Sequence, residues 1–438
     1  MATLTRSTGR FAGSAATWIR QTVALRSADS PTKLRLAMAF TVLAALLLSI
    51  AGWYSIDRRD TAIDDAARAA EQLIQVQDVR VQVVQADSIA SNAYLVGGQE
   101  SPDQRAEYDS RIAAAAAGLL VAVQGASSLD ATELESVNQR LAVYVGLVEQ
   151  ARANNRQGFP VGAAYQRQAR AVASVLVDSL RTVEQSTRQR VDDSMARAHR
   201  SSWSLIASAL LVLIALVVGS WWVAVRWRRL VNVPLAIAAV IVVLVLTVGL
   251  GVNGRAVSKA GDAVRGPLSA ADLVAQARAA AFDARSSEAL TLINRGNGAA
   301  YETEWQLSSS IVAEALAESC TTFGVGCGAL LSYEAYADSH ALVRSLDDAG
   351  DWDQAVELAT AGTLNTVVQS SGSNPPADFE AFAVASSDEL VEQSTTAARS
   401  FEEADAPLVV LRWSVAAAGL VIAGLAFSGY GRRLREYR

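Results

Sequence analysis

The sequence predicts an all-α membrane protein with four transmembrane helices and two duplicated, four-helix-bundle-like extracytoplasmic domains. Three observations predict it. There are four long apolar runs in two spaced pairs, basic residues gather on one side of those runs, and a repeat relates the two long polar segments. The runs lie at about 36–56, 203–225, 231–252 and 409–429, each near the ~20 apolar residues that cross a hydrocarbon core of ~30 Å. Between them lie an N-terminal segment (1–35), a first outer domain (57–202), a short loop (226–230), a second outer domain (253–408) and a tail (430–438).

Orientation follows from Lys and Arg in the short flanks, because cytoplasmic segments retain positive charge. The N-terminal segment carries Arg6, Arg10, Arg20, Arg26, Lys33 and Arg35; the loop carries Arg226, Arg228 and Arg229; the tail carries Arg432, Arg433, Arg435 and Arg438. All three share a side in a four-pass topology, so both termini are expected in the cytoplasm and both large domains outside the plasma membrane. The first run is long enough to span, so a cleaved signal peptide is not expected.

The outer domains hold 19 acids against 16 bases and 23 acids against 8 bases, respectively. Such surfaces make nucleic acid an unsuitable partner. The acidity of the second domain reads either as a solvated face or as a docking surface for a basic protein or a cation. Cys320 and Cys327 both fall there. In an oxidising compartment they close a small loop as a disulfide, with two-thiol metal binding as the alternative.

The repeat is read from several matches. Asp87-Ser-Ile-Ala-Ser91 recurs as Asp283-Ala-Arg-Ser-Ser287, Glu107-Tyr108 is echoed by Glu304-Trp305, and Tyr144 followed by Gly158 is echoed by Tyr336 followed by Gly350. Each Asp–Ser pair is spaced i, i+4 and so shares a helix face. These positions, with Tyr144 and Tyr336, read as polar packing contacts or as part of a ligand or partner docking site. Apolar residues Ile63, Ala66, Ala70, Leu73, Val76 and Val83 recur at helical spacing. Glycines and prolines then divide the first domain into helices over about 57–96, 102–125, 131–157 and 161–202, with Asp130 as a candidate cap for the third.

The second domain reads as helices over about 254–294, 299–319, 329–349 and 352–370, then departs from the pattern. Ser370–Pro376 is a breaker, and a further helix over about 378–404 leads to Pro407 and the last span. The insertion is expected to interrupt any rigid rod leading into that span.

No phosphate-binding glycine loop or dinucleotide fingerprint occurs. Two histidines give little material for a catalytic triad or a histidine-bound metal, so no enzyme activity, metal or cofactor is expected. The spans carry no ionisable residue near their middles, which disfavours a pump or secondary transporter. Arg412, near the outer edge, is expected to snorkel. Glycines at Gly249, Gly251, Gly419 and Gly424 point to helix contacts, including a possible homodimer.

The cytoplasmic parts are too small for a kinase or cyclase, so an output has to pass to another protein. Residues 10–26, with Trp18 on an apolar face, suit either an interfacial helix on membrane lipid or a docking helix. Trp18, Arg228, Arg229, Arg432, Arg433 and Arg435 are candidate contacts for a cytoplasmic partner.

With paired spans, two helical outer domains, a cysteine pair confined to the second and a basic tail, the chain resembles the GlnX family of four-pass actinobacterial membrane proteins. Each repeat is also similar in architecture to the four-helix-bundle sensor domains of chemotaxis receptors. The GlnX resemblance implies a relay in which an amino-acid-binding lipoprotein, GlnH, reports aspartate or glutamate through the membrane protein to the Ser/Thr protein kinase G. The expected function is thus a non-enzymatic transmembrane signal transducer. A scaffold in envelope assembly and an auxiliary subunit of an amino-acid transporter are the alternatives.

Overall fold

The computed structural model describes residues 30–96, 100–157, 161–200, 203–227, 232–360 and 374–435. Among these residues the regular structure is helical and contains no strand. The helices are α1 (Ser30–Leu95), α2 (Pro102–Gln124), α3 (Ser128–Arg156), α4 (Val161–Arg200), α5 (Trp203–Trp227), α6 (Val233–Ala263), α7 (Ser269–Ile293), α8 (Ala299–Phe323), α9 (Cys327–Asp348), α10 (Trp352–Thr360) and α11 (Pro375–Arg435). Four helical stretches are long and apolar enough to cross a membrane, which makes this a multi-pass, all-α membrane protein.

The described residues divide into two compact units. One comprises those of Met1–Thr61, Arg197–Val257 and Ala404–Arg438; the other comprises Ala62–Ala196 and Ser258–Glu403. In the first unit the outward faces are apolar: Leu36, Phe40, Leu43, Leu47 and Ile50 are exposed along α1, and Ile237, Val240 and Leu244 along α6. An exposed apolar stripe of that length is a face for lipid tails. The inward faces are small and close. A Cβ on Gly419 would meet the Ala45 carbonyl at 2.9 Å, and one on Gly52 would meet Val415 at 2.6 Å. Glycine lets the α1 and α11 backbones approach, and the Ser49 hydroxyl uses that approach to donate to the Ala416 carbonyl. Arg412 is ion-paired to Asp57 at 3.1 Å and Asp60 at 2.8 Å.

The second unit holds both repeats on one shared core. Val76, Val83, Tyr108, Leu141, Tyr144 and Leu176 of the first pack in one cluster with Val274, Phe282, Leu316, Tyr336 and Phe382 of the second. The sequence suggested two separate bundles. The reason for the difference lies in α7, where Ala270, Ala271, Ala275, Ala277, Ala279, Ala280, Ala281 and Ala284 are all buried. A helix this poor in side-chain volume and buried all round needs neighbours on every side.

The core positions of the two repeats correspond in register. Buried positions of α2 (Tyr108, Ala115, Leu119) map to α8 (Trp305, Val312, Leu316) at an offset of 197, and those of α3 (Val137, Leu141, Tyr144) to α9 (Ala329, Tyr333, Tyr336) at 192. Two local readings are corrected. Asp130 does not cap α3: Ser127 does, accepting from the Asp130 amide, while Asp130 itself is buried and accepts from Ser186. Of the helix expected over 352–370, α10 covers Trp352–Thr360 and packs beside α7 and α9, while 361–370 fall outside the described residues; the first half of α11 brings Phe379 and Phe382 into the core. α11 then runs unbroken through Pro407 into the last apolar span, for 61 residues. The insertion therefore lies ahead of the helix and does not interrupt it.

A true irregularity sits elsewhere. Pro267 cannot donate its backbone nitrogen, and a five-residue π turn, Val264–Leu268, accommodates it between α6 and α7. The Ser269 hydroxyl donates to the Val264 carbonyl at 2.7 Å, supplying a side-chain partner at that point.

Cys320 and Cys327 form the disulfide. It closes the α8–α9 turn, where Gly324 and Gly326 adopt φ of 71° and 81°, conformations that other residues adopt only with strain. Reduction of so short a loop is expected to cost about 2 kcal/mol. Thermal unfolding of wild-type and C320S/C327S protein, each with and without dithiothreitol, checks this: the reductant should lower the melting temperature of the wild type only.

Candidate functional site

The repeated polar positions converge where the two repeats meet. Asp87 on α1 is fully buried and accepts from three groups: Tyr144 Oη at 3.3 Å, Ser286 Oγ at 2.7 Å and Arg170 Nη1 at 3.1 Å. Arg170, on α4, reaches across the seam with Nη2 to Asp283 at 2.7 Å and to Glu304 at 3.5 Å. One guanidinium fork thus joins the matching aspartates of both repeats. Burial disfavours its charge, but Asp283, Asp87 and Glu304 more than offset this and raise its pKa above that of an ordinary arginine.

Ser91 links the hydroxyls: Gln166 donates to Ser91, which lies 3.1 Å from Ser286. Ser287 turns back to the Asp283 carbonyl at 3.0 Å. Burial, and then Asp87, holds the Tyr144 phenol well above its usual pKa, so it remains a donor.

The repeats are not equivalent here. Tyr336, the partner of Tyr144 in register, does not donate to Asp283. It accepts from Trp305 Nε1 at 3.5 Å and packs against Phe379 at 5.1 Å, while Asp283 takes the Ser308 hydroxyl at 2.8 Å. The structure therefore gathers Asp87, Ser91, Asp283, Ser287 and Tyr144 into one network and leaves Tyr336 in an aromatic cluster. Arg432, Arg433 and Arg435 lie in the last turn of α11, whereas Trp18, Arg228 and Arg229 fall outside the described residues.

A second polar layer, missed in the sequence, lies further along the same seam. Arg80 Nε contacts Glu184 at 2.6 Å, with both side chains almost wholly buried, and Arg188 Nε donates to Asp272 of the second repeat at 3.1 Å. Gln77 also donates to Asp272. Burial outweighs the pairing on both partners, lowering the pKa of Arg80 and raising that of Glu184. The signal for these residues was spacing. Arg80 falls between Val76 and Val83 on the α1 stripe, and Arg170, Val177, Glu184 and Val191 recur every seven residues on α4. A charge on a core stripe marks a buried partner.

The second repeat adds a buried histidine. His340 Nδ1 lies 2.6 Å from Glu288 and Nε2 3.3 Å from Glu302, with the ring stacked on Trp305 at 3.7 Å. Burial lowers the imidazole pKa, but the two carboxylates outweigh it, so the net shift is upward. The stabilisation this gives is full below the unfolded-state pKa, about 6.5, and fades as pH rises through the higher folded-state value. Melting temperatures between pH 5.5 and 8.5 should fall with pH in the wild type and flatten in H340N; parallel curves would refute the assignment. No group of three or more metal-ligating side chains occurs among the described residues.

Fold and seam together define a multi-pass, all-α membrane protein built on a paired helical module. Residues 62–196, which are the first repeat's share of that module, match the family model of an actinobacterial sensor domain, and this points to a role in sensing or signalling. No curated protein and no solved structure matches the chain.

Proposed function

We propose that the protein is a non-enzymatic transmembrane signal transducer that relays extracytoplasmic aspartate or glutamate availability, received from a solute-binding lipoprotein, to a cytoplasmic Ser/Thr protein kinase. The observation that carries the reading is helix continuity. α1 holds an apolar span and the first helix of the sensor-domain match in one 66-residue element, and α11 does the same for the second repeat in 61 residues. The resemblance to the GlnX family supports the lipoprotein and kinase as partners, and the basic flanks support cytoplasmic termini.

Signalling needs a ligand that favours one of two packings of the module. The polar seam suits that role, because its partners are discrete and buried and do not deform gradually. Arg432, Arg433 and Arg435 then present positive charge at the cytoplasmic end of α11 for the kinase, in contact with anionic lipid.

Mild cross-linking in intact membranes, with and without added aspartate or glutamate, tests the reading. Co-recovery of a solute-binding lipoprotein and a Ser/Thr kinase, altered by the amino acid, is the expected result. Recovery of envelope-assembly proteins indifferent to amino acids would overturn it in favour of a scaffold.

A further inference from the structure

The first repeat carries a cleft between the end of α1, the start of α2 and the end of α3. It measures about 240 Å³ and is lined by Tyr94, Glu100, Ser101, Arg105, Arg152 and Asn155, with Arg156 at its edge. That volume is below the ~300–1,000 Å³ of pockets for drug-sized ligands.

The charges around the cleft are built in, not scattered. Arg152 is 6% exposed and lies over the Tyr108 ring at 4.1 Å. It is held by Glu100 at 2.7 Å and Glu149 at 3.0 Å, and its Nε has no hydrogen-bond partner among the described residues. Arg105 is fixed by Glu149 at 2.9 Å, and Asn155 by the Tyr94 carbonyl at 2.9 Å. Arg156 stands on the exposed last turn of α3.

The repeat register supplies the second, independent observation. At the offsets of 197 and 192, Arg105 corresponds to Glu302, Arg152 to Arg344, Asn155 to Asp347 and Arg156 to Asp348. In the second repeat the arginine is saturated by the chain itself: Arg344 contacts Asp347 at 2.6 Å, Asp348 at 2.6 Å and Glu302 at 3.4 Å. At these three positions the second repeat has carboxylates, and the first has two arginines and an asparagine.

We infer that this cleft binds a free α-amino acid, whose carboxylate takes the place that Asp347 and Asp348 fill in the other repeat. Arg156 and Arg105 face the carboxylate, and Glu100 faces the ammonium group. The inference rests on the sensing role proposed above and adds to it a direct contact between the amino acid and this chain.

The test uses the full chain in lipid nanodiscs, without any lipoprotein, titrated with L-glutamate, L-aspartate or succinate while thermal unfolding is followed. Saturable stabilisation by an amino acid is expected, weakened at least about tenfold in R156A, since a charge-assisted hydrogen bond contributes 1.5–3 kcal/mol. E100Q should weaken the amino acids and leave succinate unaffected. D348A, at the corresponding position of the second repeat, should bind as the wild type does. Absence of stabilisation by either amino acid, stabilisation unchanged in R156A, or succinate binding as well as the amino acids would overturn the inference. A null result here with amino-acid-dependent cross-linking to a lipoprotein would refute the cleft and leave the relay standing.

Discussion

Replacing Arg170 with methionine is expected to destabilise the protein by about 3–5 kcal/mol, the cost typical of leaving one partner of a buried ion pair uncompensated. The substitution keeps most of the aliphatic volume and removes the only cation among the described residues that contacts Asp87, which is 0% exposed. Tyr144 and Ser286 would still donate to that carboxylate, but neither carries charge. Adding Asp87→Asn to R170M should restore part of the loss, and a double-mutant cycle from chemical unfolding would measure the coupling. A loss under about 1 kcal/mol for R170M would mean that the fork contributes little to joining the repeats.

Glu184→Ala should have an effect of similar size for the opposite reason. It leaves Arg80 buried, with a guanidinium that cannot shed its charge at physiological pH. Arg188, only 3.6 Å from Glu184, would lose a partner as well but keeps Asp272. Replacing both Arg80 and Glu184 with leucine should recover most of the deficit, because an apolar pair of similar volume is often no worse than a buried ion pair. If the double variant is as unstable as E184A, the layer holds the structure through something other than charge compensation. Both variants should also alter any amino-acid dependence of signalling, because both act at the contact between repeats.

Much of this was legible in the sequence. The four spans are legible because lipid demands long apolar runs, and the helical class because the apolar positions recur every three or four residues. The cysteine pair was legible from its spacing. The Asp87–Ser91 and Asp283–Ser287 matches fall on the faces where the two repeats meet.

What the sequence hid was mostly relational. Nothing local says that Asp87 and Asp283 share one arginine, or that Arg170 rather than any of its neighbours is that arginine. Pro407 reads as a helix end under local rules, yet α11 passes through it. Pro267 drew no notice, although that proline is the one that the helix answers with a π turn. The cleft around Arg152 was invisible for another reason. Its arginines come from the ends of two helices, and only the comparison with Glu302 and Asp348 shows that Arg105 and Arg156 stand where the other repeat has acids.

The shared core has a consequence for how the two halves could change over time. A symmetric homodimer carries every substitution twice, so a residue that suits one subunit's surroundings is imposed on the other as well. Here the two halves belong to one chain, and each position can be altered once. Tyr144 has a polar task while Tyr336 sits in an aromatic cluster, and Val148 stands at the position where the other half has His340. Fusion has released the pair from the obligation to be identical, so that one half can specialise while the other keeps the core in place.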